Sequence, residues 1–303
     1  MDSPVKLLTF YGIKHVKFDQ EMLDEFYLKA WGRAIEFFDN RNIKATFFVV
    51  GDEIESSETI RKITLQVHNA GHEIENHTYS HTLGLASLPI EKIREEMLRC
   101  NEIIEKITGV APIGFRSPGY NVNSKVISIA KSLGFKYDSS GFWSIMNPVL
   151  KNFNMLLFKR GVKNADFGFV TNRLKQYPYS PSESDWLQHD SCSHFLELPF
   201  PRTNVFGLPF YNNFNLWAPT IYSDYISKNI KKPYMMYLFH LIEFMDLSDG
   251  IPSELAIHPN VKTSASIKIQ KSGKLLSNLA QRYKHLSTRS FIDSIAKNKE
   301  VFE

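Results

Sequence analysis

Cysteine is scarce, long apolar runs are missing, and neither sign of charge dominates. Only Cys100 and Cys192 occur in 303 residues, at no metal or redox spacing, which argues against a disulfide framework. The most apolar windows, residues 45–51 and 233–245, are much shorter than the ~18–20 residues of a membrane span, and His240 and Glu243 interrupt the second. A balance of 36 basic against 32 acidic residues leaves only +4, so no nucleic-acid partner is expected. No basic-then-apolar leader opens the sequence, and a cytoplasmic location is expected. What is present is globular in proportion: 43% hydrophobic and 22% charged residues exclude a disordered or collagen-like chain and supply a sizeable core.

Short apolar runs alternate with stretches of helical period, as βα units around a largely parallel sheet or barrel require. Residues 6–11 read as a strand. Leu28, Trp31, Ile35 and Phe38 form a helical stripe, and residues 45–51 a buried strand. A polar helix over 57–69, a strand ending near Glu75 and a long helix from about Leu88 follow, with Pro89 in its first turn and Gly109 after its end. A strand before Arg116, a helix over 124–133 and a strand over 135–139 continue the rhythm. It breaks at residues 141–195, an Asn-, Pro-, Tyr- and Ser-rich insertion. Strand-like runs return at 195–200 and 234–240, followed by a basic helix over 265–285 and a last helix from Phe291. One domain over residues 1–303 is expected.

The sharpest chemical signal is His77-Thr78-Tyr79-Ser80-His81, directly after a strand-like run. Two histidines four apart share a helical face, so both imidazoles reach one divalent ion if the segment turns helically. In isolation such a pair is more often a polar loop. The order of other motifs along the chain changes that weighting.

Gly71-His72-Glu73-Ile74 running into Asn76–His81 resembles the second motif of the polysaccharide deacetylase family (NodB homology, carbohydrate esterase family 4). Residues 43–51 are similar to its second strand. Gly114-Phe115-Arg116-Ser117-Pro118-Gly119-Tyr120 resembles its third motif in the form of the lipid-linked aminosugar deformylase branch, as does Tyr137-Asp138-Ser139-Ser140. Leu238-Phe239-His240 resembles the fifth motif, and Ile257-His258-Pro259 a downstream element. The resemblance runs from about Leu7 to Ser290. It implies an α/β fold, a distorted (β/α) barrel, and metal-dependent hydrolysis of an N-acetyl or N-formyl group on an aminosugar in a glycan or glycolipid. It further implies His77 and His81 as ligands of a divalent metal ion such as zinc, His240 as general acid, Arg116 as orienter of a carboxylate, and Pro118, Gly119 and Tyr120 as groove lining. Asp138 and Tyr11 join them as candidate substrate contacts.

The chain departs from the family at the first motif, where aspartates are expected at the end of the first strand. Residues 7–12 read Leu-Leu-Thr-Phe-Tyr-Gly, and Tyr11, a phenol with pKa near 10, holds the place of a carboxylate. Asp19 or Glu75 would have to reach the site instead. Otherwise a sugar-binding descendant without catalysis, or a metal-independent amidohydrolase, is implied. The apolar and basic residues of 149–160 suit either a packed helix or peripheral contact with an anionic inner membrane face.

Overall fold

The computed structural model describes residues 3–11, 13, 16, 18–143, 172–203, 207–258 and 260–297. Five parallel strands pair in chain order: β1 (Thr46–Val49), β2 (Glu73–Asn76), β3 (Gly114–Phe115), β4 (Tyr137–Asp138) and β5 (Leu196–Glu197). Helices run between them, α3 (Gly51–Ser56) and α4 (Glu58–Asn69) after β1, α5 (Ile90–Thr108) after β2 and α6 (Ser124–Ser132) after β3. α1 (Pro4–Phe10) and α2 (Gln20–Asp39) precede the sheet; α7 (Asn212–Trp217), α8 (Thr220–Asn229), α9 (Ala265–Ala280) and α10 (Thr288–Lys297) follow it. This is the expected α/β architecture. A pairing that would close the sheet into a barrel is not found among the described residues.

Period-two alternation sorts the strands. Phe47 faces outward and stacks on Trp31 of α2 at 5.1 Å between ring centroids, in a core with Ile74, Ala34 and Phe38. Phe48, Tyr137 and Leu198 face the other way and meet Tyr234. Gly114 is required there: it pairs with Tyr137 in register, and a Cβ on it would lie 2.0 Å from the Tyr137 ring. Side-chain caps fix the helix starts: Asp19 accepts from Met22 N, Ser57 from Ile60 N and Asn123 from Val126 N.

The structure corrects several expectations. Residues 6–11 are not a strand; Ser3 caps Lys6 N, Pro4 sits in the first turn, and the apolar pair Leu7 and Leu8 is buried equally well by a helix. Residues 234–240 form no strand and lead, through an extended His240, into a 3-10 turn, Leu241–Phe244. α2 starts eight residues before Leu28, because Asp19 provides its cap. The run over 195–200 shrinks to β5, and α9 ends at Ala280. Most of the 141–195 insertion, including the apolar basic piece at 149–160, lies outside the described residues. Among the described residues no helix is long and apolar enough to cross a membrane.

Candidate functional site

The carboxyl ends of parallel strands are where loops can converge, and three candidate residues lie there. His77 follows β2, Arg116 follows β3, and Asp138 ends β4. The 77–81 segment is not a helical turn. Thr78 and His81 take left-handed φ of 66° and 56°, Thr78 N is held by Asn76 Oδ1 at 2.8 Å, and Ser80 N by Glu96 Oε2 at 2.8 Å. A β-branched residue at positive φ is strained, and this loop is anchored on both sides to hold it. The outcome matches what a helix would have achieved: the two imidazoles are 5.0 Å apart between centroids, and both are buried.

His77 Nδ1 lies 2.6 Å from the carbonyl oxygen of Arg116. A carbonyl only accepts, so Nδ1 carries the proton and Nε2 presents its lone pair, the orienting contact usual behind a metal-ligating histidine. The third donor is the difficulty. Among the described residues no three His, Cys, Asp or Glu side chains are grouped to hold a metal ion. Asp19 is spent capping α2. Glu75 turns away: its Oε2 accepts from the N–H groups of Ile113 and Gly114 at 2.8 and 2.7 Å, and its Oε1 pairs with Arg289 at 3.0 Å. Among the described residues the donor set fits a site of two imidazoles completed by water or ligand, not the three-ligand site that a first-motif carboxylate would give.

Arg116 is buried, stacked over Phe48 at 4.1 Å and Phe200 at 4.7 Å, and donates from Nε to Ser139 O and from a terminal nitrogen to Ser139 Oγ, both at 2.9 Å. Its hydrogen bonds thus go to Ser139 and Met236 rather than to a carboxylate. The nearby carboxyls belong to Asp138, which accepts from Ser140 Oγ at 2.6 Å, and Glu197, which accepts from Gly141 N at 2.8 Å. They face each other in register across β4 and β5, both fully buried. Burial, and then Asp138, hold the Glu197 carboxyl well above the carboxylate range, so the pair retains a proton. Asp138 therefore lies buried at the end of β4 against Glu197.

Pro118, Gly119 and Tyr120 form a 3-10 turn with Gly119 and Tyr120 at φ 60° and 58°. It stacks the Tyr120 ring on Phe142 at 4.8 Å, and Phe142 meets Tyr211 at 5.7 Å. Tyr11, at the end of α1, sets its ring edge-on to His258 at 6.3 Å. Burial, then Tyr211, push its phenol above the usual range, so it stays neutral. His240 Nδ1 lies 2.9 Å from Glu243 Oε1. Sequence reasoning missed Glu243, Glu197 and the Phe142–Tyr211 aromatic pair. Only Glu243 carried a legible signal, an acid three residues after His240 inside an apolar run.

The family model for polysaccharide deacetylases matches residues 17–137. The peptidoglycan-N-acetylglucosamine deacetylase of Bacillus cereus is 35% identical over 111 residues, 37% of this chain and 34% of that protein. Chitin deacetylase 1 of Cryptococcus neoformans is 37% identical over 101 residues, 33% of this chain and 20% of that protein. Matches to the first curated relatives span 32–41% of those proteins' length. A solved Mycobacterium smegmatis protein described as a candidate polysaccharide deacetylase has the same fold at a TM-score of 0.56 and 16% identity, over 92% of this chain and 82% of that one. Residues 17–137, which hold the paired histidines and Arg116, are thus the part of the chain that is similar to polysaccharide deacetylases.

Proposed function

We propose that this protein hydrolyses the N-acyl amide of an aminosugar in a glycan, with N-acetylglucosamine units as the first substrate class to test. The observation that carries the reading is the His77–His81 pair, 5.0 Å apart and oriented by the Arg116 carbonyl in a segment matched by the family. The B. cereus and C. neoformans relatives support the substrate class by their names, peptidoglycan-N-acetylglucosamine deacetylase and chitin deacetylase. A lipid-linked aminosugar is the finer alternative, resting on the Arg-x-Pro-Gly form of residues 116–119.

The two imidazoles would hold a divalent ion, which when bound polarises the acyl carbonyl and acidifies water. His240, just before the 3-10 turn, gives a proton to the departing amine, a task suited to imidazole near neutral pH. The Tyr120–Phe142–Tyr211 rings offer flat apolar faces for sugar rings. A second reading, a sugar-binding protein without turnover, is favoured by one specific observation: Tyr11, which by the first-motif resemblance takes the position of a carboxylate, is a phenol that burial keeps neutral. The test is amine release from an N-acetylglucosamine oligomer with added zinc or cobalt. Release lost in His77→Ala supports the hydrolase; binding with no release in any metal supports the second reading.

A further inference from the structure

His240 and Glu243 differ sharply in exposure. The imidazole is 26% exposed and the carboxylate 1%. A desolvated carboxylate is costly unless both oxygens are satisfied, and here they are: Oε1 meets His240 Nδ1 at 2.9 Å and Oε2 accepts from Asn212 Nδ2 at 2.6 Å. Asn212 is itself fixed, its Oδ1 accepting from Ser272 Oγ at 2.8 Å and Tyr237 OH at 3.3 Å. Three separate elements, the 3-10 turn, α7 and α9, thus form one hydrogen-bonded chain, Ser272 to Asn212 to Glu243, that ends on the partly exposed imidazole.

We propose that Glu243 is the positioning residue for His240, held by Asn212 and Ser272, and that it keeps the proton on Nδ1 so that Nε2 is the nitrogen left to exchange a proton with substrate. The inference rests on the reading of His240 as the acid. In that step the Nε2 proton passes to the amine nitrogen as the C–N bond breaks. Nδ1 keeps its proton against Glu243, and water recharges Nε2. The titratable and charged groups around the pair are His258 and Lys268, and the phenols of Tyr211 and Tyr237.

The experiment compares wild type, Glu243→Gln and Ser272→Ala by nitrogen-15 NMR of the His240 ring, and by kcat and KM against pH on an N-acetylglucosamine oligomer. Glu243→Gln is expected to spread the His240 proton over both nitrogens, lower kcat about 10–100-fold with KM unchanged, and move the alkaline limb of the kcat profile to lower pH. Ser272→Ala, two hydrogen bonds away, moves each quantity in the same direction by less, and serves if Glu243→Gln does not fold. An unchanged tautomer and an unchanged alkaline limb would overturn the proposal. The NMR result needs no turnover, so it decides this inference even if no variant hydrolyses the oligomer; retained turnover in His240→Ala would instead overturn the acid role itself.

Discussion

Thr78 and His81 take the backbone conformation that side chains other than glycine usually avoid, and by doing so bring His77 and His81 together. The four-residue spacing was legible in the sequence; the route was not, because a hydrogen-bonded loop reaches the same juxtaposition as a helix and leaves the same spacing. Tyr11 was legible as a missing carboxylate, whereas its placement at the end of a helix against His258 depends on the Ser3 cap and on partners distant in sequence. At this scale His240→Ala should lower turnover about 10²–10⁴-fold while leaving metal content unchanged, checked by steady-state kinetics beside elemental analysis. Glu75 gives a pH prediction. Burial, opposed by Arg289, pushes its carboxyl from 4.5 up to about 7. A carboxyl with a raised folded value stabilises the fold fully below about pH 4.5, and this contribution is lost as pH rises through about 7. Unfolding free energy should therefore carry a fall of up to about 3 kcal/mol across that window, and Glu75→Gln should flatten it in denaturant titrations at several pH values.

Among the elements, those with a long helical stripe were readable: α5 and α6 lie where periodicity places them, with Gly109 as the left-handed stop after α5, whereas the stripe from Leu28 missed the first two turns of α2, which Asp19 caps. Two short apolar runs were misread. Residues 6–11 and 234–240 have no length to separate strand from helix or extended chain, and their state is decided by what covers them. Trp31 on α2 carries much of the contact between helix and sheet, being 1% exposed and stacked on Phe47. Trp31→Ala should cost about 3–5 kcal/mol, read as a lower denaturant midpoint at unchanged slope. α10 closes the amino end of the sheet: Glu73 accepts from Thr288 N and Arg289 N, and Phe291 stacks on Tyr234 at 5.2 Å. Glu73→Ala removes a cap for two helix N–H groups and should lower stability by about 1–2 kcal/mol, seen as faster amide exchange in residues 288–292.

Across the whole molecule, the strand order places the ends of β2, β3 and β4 side by side, so residues 77, 116 and 138 meet although they are far apart in sequence. Motif order made that convergence readable, whereas the carboxyl pair Asp138–Glu197 was not, since Glu197 lies beyond the insertion and only the parallel register brings it opposite Asp138. The proposed hydrolysis depends above all on His77 and His81 sufficing to hold a catalytic divalent ion without a first-motif carboxylate. The direct measurement is the divalent metal content of the purified protein beside the His77→Ala/His81→Ala variant, after dialysis without added metal. About one ion per folded chain, absent from the variant, is the predicted result. Equal metal content in both proteins, or none in either when zinc is titrated to millimolar concentration, would contradict it.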